Sequence, residues 1–306
     1  MTDAFVMSYF TTFSEALHLA VSNDGYIWTP VNGGRPMLAG QVGTQSIRDP
    51  YIATGRDGRF HLLATDGWNS TSIVHAASDD LITWDDQDLV PVMRDIPFAR
   101  NAWAPEFFID PVTGLHHAIW SSSIHPDASG WQTAARDSTM DHRIWTASTP
   151  DFVTWSEATI FFDPGYTVID ASIIADGDHF LMAFKDERGD NHDHRNLKGI
   201  RTVAFDRPGD RFSEPSRLLT TQPAEGPTLF RTHDRLVMMF DLFLDGSYAA
   251  LSSSDSRSWT SVTDFQGPPG ARHGAVLAVT RDELLQLERA NTPRAGEAPP
   301  LATASE

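Results

Sequence analysis

Five short segments of this 306-residue chain each set a polar side chain beside proline, glycine or alanine. They are Ile47-Arg48-Asp49-Pro50, Trp103-Ala104-Pro105-Glu106, Ile169-Asp170-Ala171-Ser172, Glu225-Gly226-Pro227 and Arg272-His273-Gly274. Asp49, Glu106, Asp170 and Glu225 are acids; His273 is the fifth polar residue. Carboxyl groups gathered out of water repel one another and hold their protons more tightly, and a fold keeps such a cluster where it is used. The chemistry they suit is acid–base work, one carboxyl protonating a leaving oxygen while another activates water, as hydrolysis of a glycosidic bond requires. An Asp in Arg-Asp-Pro or a Glu in Glu-Gly-Pro, taken alone, serves equally well to start a turn. The case therefore depends on elements that bring the five segments together.

Two further units repeat. One is an apolar strand: Phe5 to Phe10, Phe60 to Thr65, Leu115 to Trp120, Phe180 to Lys185 and Leu236 to Asp241. The other is a strand, a Ser/Asp turn and an aromatic four residues beyond the Asp, as in Asp24 to Trp28, Asp80 to Trp84, Asp151 to Trp155 and Asp255 to Trp259. Val203 to Phe212 is a degraded copy. Asp and Ser close such turns through neighbouring backbone, and the aromatic packs the return strand. Five copies of three units predict an all-β fold, a five-bladed β-propeller with about four strands to each blade. Counted from Asp49, the polar units recur at 57, 64, 55 and 48 residues, a spacing foreign to a sandwich. In a propeller the innermost strands line a central channel, and the polar unit is assigned to them. The units are circularly offset: residues ~4–31 and ~272–280 are expected to share one blade, closing the ring through the two ends of the chain and removing open sheet edges. Thr280 to Glu283 reads as a capping box opening a short C-terminal helix to about Ala290. Residues 1–290 then form one catalytic domain, and the Pro-, Ala- and Glu-rich stretch 291–306 is expected to be disordered.

With these motifs in this order, from about Phe5 to about Leu287, the chain resembles glycoside hydrolase family 43. Phe184-Lys185-Asp186-Glu187 falls in the family's order as well. The resemblance implies an inverting mechanism with Asp49 as general base, Asp170 as modulator of the acid's pKa and Glu225 as general acid. An inverting pair stands about 6.5–9.5 Å apart to admit water, which residues from non-adjacent blades can satisfy. Asp170, one blade before Glu225, is expected to raise the acid's pKa so that the proton stays on it near neutrality. The resemblance further implies exo-cleavage of terminal arabinofuranosyl or xylosyl residues from small oligosaccharides, with galactofuranosides as the alternative sugar.

Arg272, Trp103, Glu106, Phe10 and Trp120 are the candidate substrate-binding residues, and His273 is the candidate metal ligand. Each has a plainer alternative. Arg272 either reaches a sugar hydroxyl or makes a salt bridge. Glu106 is a structural carboxylate or part of the substrate shell. Trp103, Trp120 and Phe10 either wall the sugar pocket or pack the core. Lys185, Asp186 and Glu187 contact the glycone or form a solvated turn. His273 either helps hold a structural calcium ion in the channel, which would need oxygen ligands besides the imidazole, or is a buried, hydrogen-bonded histidine. No cofactor is required for the chemistry. The polar insertion His125 to Asp141 is expected to rim the mouth.

Composition narrows the partners. Lys and Arg total 23 against 41 Asp and Glu, a net charge of −18 with no basic cluster, which argues against nucleic acid. No apolar run is long enough to span a bilayer. Cysteine is absent, so disulfides and thiolate metal sites are excluded. With no basic and apolar leader at the start, a cytoplasmic location is expected. A retaining fructan-active propeller would need an Asn-Asp-Pro and a Glu-Cys that do not occur. A phosphorylase would need more cations than Arg48 and Arg272, and a purely carbohydrate-binding propeller would have no reason to keep all three carboxylates.

Overall fold

The computed structural model describes residues 4–124, 141–189 and 197–290. Both the tail 291–306 and nearly all of the insertion 125–141 lie outside them. The described residues form five sheets arranged as a β-propeller. The first blade runs from the inside outward as β4 (Arg48–Thr54), β5 (Phe60–Thr65), β6 (Ile73–Ser78) and β7 (Asp88–Val90). The second is β8 (Trp103–Ile109), β9 (His116–Ser123), β10 (His142–Thr149) and β11 (Thr159–Phe162). The third is β12 (Val168–Asp176), β13 (His179–Asp186) and β14 (Gly199–Phe205). The fourth is β15 (Glu225–Arg231), β16 (Leu236–Leu242), β17 (Ser247–Ser253) and β18 (Thr260–Ser261).

The closing blade joins the two ends of the chain. The innermost strand β19 (Ala271–Val279) pairs with β1 (Ala4–Thr11), followed by β2 (Ser14–Ser22) and β3 (Thr29–Pro30). The inner strands touch in a closed circle: β4 against β8, β8 against β12, β12 against β15, β15 against β19 and β19 against β4. Apolar clusters fill the seams, such as Phe107, Trp120 and Trp145 with Leu63 and Ile73 between the first two blades. Helix α1 (Arg281–Ala290) is capped as expected: the Thr280 amide and hydroxyl both donate to Glu283 Oε2, at 2.7 and 2.8 Å. Its Leu284 and Leu287 pack into the core of the closing and first blades.

The repeated turn has one construction in four blades. Asp24, Asp80, Asp151 and Asp255 each accept two following amides through Oδ1, while Ser22, Ser78, Thr149 and Ser253 accept amides through their hydroxyls. The third blade departs from the expected four strands. Beyond β14 the chain still donates to it from Ser213, Ser216 and Leu219, but Pro215 interrupts the run and removes a donor, so no regular fourth strand forms.

Candidate active site

Each inner strand carries an irregularity in register where it reaches the mouth of the ring: between Arg48 and Tyr51, Trp103 and Glu106, Ile169 and Ser172, Glu225 and Thr228, and opposite Tyr9–Phe10 in the closing blade. The bulge turns on a residue of positive φ: Asp49 at 47°, Ala104 at 48°, Asp170 at 56° and Gly226 at 56°. Left-handed backbone costs a residue with a side chain of order 1–3 kcal/mol, and Asp is among the types that tolerate it. At Gly226 a further reason excludes a side chain, since a Cβ there would stand 2.5 Å from the His273 ring.

These bulges sort the segments into tiers. Arg48, Trp103, Ile169, Glu225 and Arg272 hold one equivalent position; Asp49, Ala104, Asp170, Gly226 and His273 hold the next. Glu106 belongs to neither. It stands two residues past the bulge, equivalent to Tyr51, Ser172 and Thr228, so the expected equivalence of Glu106 with Asp49 and Asp170 fails and Ala104 occupies that place. Glu106 is 6% exposed, and burial pushes its carboxyl up to about 8. It lines neither cavity described next.

A cleft of about 1160 Å³ opens at the mouth, lined in part by Arg48, Trp68, Trp103, Lys185, Glu187 and Glu225. Beneath it a well of about 100 Å³ is lined by Arg48, Asp49, Thr65, Trp68, Trp103, Ile169, Asp170, Glu225 and His273. Thus the three expected catalytic carboxylates share one small well. Of the two alternatives left open for Trp103, the structure places it on the wall, its indole donating to the Trp68 carbonyl at 2.9 Å. Trp120 is not on any wall: at 1% exposed it packs in the seam between blades. Phe10, 4% exposed, stands behind the wall, its ring 4.7 Å from the Arg48 guanidinium carbon. Arg272 lines neither cavity and pairs with Glu225 Oε1 at 3.0 Å and Asp241 Oδ2 at 2.7 Å.

A second set of residues, in the second strand of each blade, was not singled out as such from the sequence. Thr65, Ser121, Lys185, Asp241 and Phe10 are the cross-strand partners of Arg48, Trp103, Ile169, Glu225 and Arg272. Every one reaches into the next blade round the ring. Phe10 lies under Arg48. Thr65 accepts the Ala104 amide at 2.7 Å while donating to Asp49 at 2.7 Å. Ser121 accepts the Asp170 amide at 3.0 Å. Lys185 reaches Glu225 Oε2 at 2.9 Å, and Asp241 holds Arg272.

The electrostatics follow from these contacts. Burial opposes charge on Asp49, but His273, whose Nδ1 lies 3.5 Å away, Arg48 and the Thr65 hydroxyl outweigh it and hold the carboxyl below its ordinary value. Burial raises Asp170 to about 6, against the pull of His273. Burial works against the His273 cation too, yet Asp170 and Asp49 lift that ring to about 9. For Glu225, burial is overcome by Lys185, then by Arg272 and His273, and its carboxyl lies below the ordinary value. In the resting site Lys185, Arg272 and His273 thus lower the proton affinity of Glu225, while burial raises that of Asp170.

His273, the candidate metal ligand, lies among the acids of the well. Its Nδ1 faces the carboxylates of Asp49 and Asp170 at 3.5 and 3.9 Å, whereas calcium takes about six to eight oxygens. No group of three or more His, Asp or Glu side chains suited to a metal occurs among the described residues. The ring lies between two acids, which favour its protonated form.

Residues 1–284 match the family 43-related glycoside hydrolases, described as a probable glycosyl hydrolase domain. The chain belongs to that family. An α-L-arabinofuranosidase of Bifidobacterium longum is 24% identical over 186 residues, covering 55% of this chain and 18% of the relative, so the chain spans about a fifth of the length of that curated relative. Among solved structures, a thermostable family-43 glycoside hydrolase matches with a TM-score of 0.54 and 17% identity over 74% of each chain. An α-L-arabinofuranosidase from Lactobacillus brevis matches with a TM-score of 0.54 and 18% identity, over 71% of this chain and 72% of the other. At such identities these two establish the shared propeller.

Proposed function

We propose that the protein is an inverting, exo-acting glycoside hydrolase that removes terminal pentofuranosyl or pentosyl residues, as an α-L-arabinofuranosidase, a β-D-xylosidase or both, from small oligosaccharides. The observation that carries the reading is the shared well: Asp49, Asp170 and Glu225 line a cavity of about 100 Å³ under a cleft of about 1160 Å³. A small well closed by the ring suits one terminal sugar, and the wide cleft leaves room for the rest of the oligosaccharide. Asp49, held ionised by His273, Arg48 and Thr65, is suited to take a proton from water as that water attacks the anomeric carbon. Glu225, once protonated, gives its proton to the glycosidic oxygen as the carbon–oxygen bond breaks, leaving an inverted sugar and a free alcohol. Asp170 is suited to hold the acid in position. The arabinofuranosidase names of the relatives favour that sugar.

A proton NMR time course on 4-nitrophenyl α-L-arabinofuranoside and β-D-xyloside, beside Asp49→Asn, tests the reading. Inverted product that disappears in the variant is expected. Product of retained configuration overturns the mechanism, and absence of turnover on both glycosides overturns the choice of sugar.

A further inference from the structure

Lys185 is 4% exposed and is the only residue among the five cross-blade props to bring a full positive charge to the well. Burying an ammonium group is costly unless it is paired, and Lys185 has two partners. Its Nζ lies 2.9 Å from Glu225 Oε2 and 2.7 Å from Glu187 Oε1. Glu187 is in turn held by Lys198 at 3.0 Å, and Glu225 by Arg272. The result is an arc of alternating charge, Lys198, Glu187, Lys185, Glu225, Arg272 and Asp241, running across three blades at the junction of well and cleft. Both Lys185 and Glu187 line the cleft, through which a leaving group would have to pass.

We propose that Lys185 is the positioning residue of Glu225, and that Glu187, by sharing the ammonium group, sets how firmly Lys185 holds it. This rests on Glu225 being the general acid. An acid tied to two cations resists protonation, so a lysine bound to Glu225 alone would impede the reaction. A lysine divided between two carboxylates can move its weight to Glu187 when Glu225 takes up its proton. Lys198 anchors Glu187, so that the exchange is between two fixed points. The other groups facing Glu225 are Arg272 and His273 from β19, Asp170 from β12, and Asp241 and Tyr248 from its own blade. None of them is shared with Glu187 in this way.

The test is the pH dependence of kcat/KM on an unactivated arabino- or xylo-oligosaccharide and on the matching 4-nitrophenyl glycoside, with Lys185→Gln, Lys185→Arg, Glu187→Gln and Glu225→Ala beside the unaltered protein. On the unactivated substrate Lys185→Gln is expected to move the alkaline limb up by about one pH unit, since a nearby opposite charge shifts a carboxyl by about 1–3 units. Lys185→Arg should restore the original limb. Glu187→Gln should move it the opposite way, because Lys185 is then undivided. Activity that falls equally at every pH, with unmoved limbs, overturns the positioning role. Should Lys185→Gln not fold, an unmoved or raised limb in Glu187→Gln overturns it alone. The underlying acid assignment fails separately, if Glu225→Ala loses no more on the unactivated substrate than on the aryl glycoside.

Discussion

Asp170 accepts a 3.1 Å hydrogen bond from the amide of Gly226, the residue that follows Glu225 in the chain. The third blade thus grips the backbone of the acid-bearing strand of the fourth, while its own amide is held by Ser121 of the second. Asp170→Asn is expected to lower kcat by about 100-fold or more, the size of the general-acid contribution that a misplaced Glu225 would lose, and to lower the pKa of His273, which Asp170 and Asp49 together raise. Kinetics and an NMR titration of the His273 ring check the two effects. An unchanged His273 titration would count against the coupling.

Stability should depend on His273 in a definite pH window. Its folded pKa, about 9, stands above the ordinary 6.5. The stabilisation it supplies is therefore complete below the unfolded value and is lost as pH rises through the folded one. His273→Gln is expected to unfold more easily by about 2–3 kcal/mol near pH 6.5, a shift of this size being worth roughly 1.4 kcal/mol per unit. The gap should close by pH 9–10. Thermal unfolding of both proteins across that range is the measurement, and a gap that stays constant with pH would exclude the charge as its cause.

Two tryptophans should part company. Trp120 is buried in a seam, so Trp120→Ala is expected to cost about 3–5 kcal/mol of stability. Trp68 is 44% exposed on the wall of both cavities, and Trp68→Ala should instead raise KM several-fold with little loss in melting temperature. Denaturation and steady-state kinetics on the pair decide the matter.

Gly226→Ala isolates a close approach. Ala104 holds nearly the same φ in the second blade, so left-handed backbone alone does not forbid alanine. The added Cβ would meet the His273 ring at 2.5 Å, and overpacking of this kind costs about 1–3 kcal/mol. Loss of activity together with a lowered melting temperature is expected. Unaltered His273 resonances would argue that the ring is not displaced.

Deleting residues 1–31 should abolish folding, because β1 supplies the hydrogen-bonded neighbour of β19 and with it the closure of the ring. Circular dichroism and size exclusion report this directly; a compact, cooperative product would show that four blades suffice.

The blades were legible because their turns need particular residues. Ser or Thr and Asp at fixed spacing before an aromatic is a chemical demand that repeats with the hairpin, and the capping box at Thr280 is another of the same kind. The convergence of Asp49, Asp170 and Glu225 on one well was legible through the motifs around them. The misplacement of Glu106 has a physical origin: a one-residue bulge shifts which side chain faces the axis, and Trp-Ala-Pro-Glu does not say that Ala104 rather than Glu106 takes the bulge. Thr65, Ser121 and Asp241 escaped notice because each is an ordinary strand residue whose role arises from register with its neighbour and contact with the next blade. Trp120 stayed open between pocket wall and core because an aromatic type carries no record of its exposure.

Because each prop reaches from the second strand of one blade to the inner strand of the next, the pocket belongs to the seams rather than to the blades. Exchanging one blade for that of a relative would separate Lys185 from Glu225, or Asp241 from Arg272, even if every blade kept its shape. Changes of specificity in this architecture should therefore come as paired substitutions, one in an inner strand and one in the second strand of the blade before it, and a library that varies single blades would mostly yield well-folded proteins with misaligned wells.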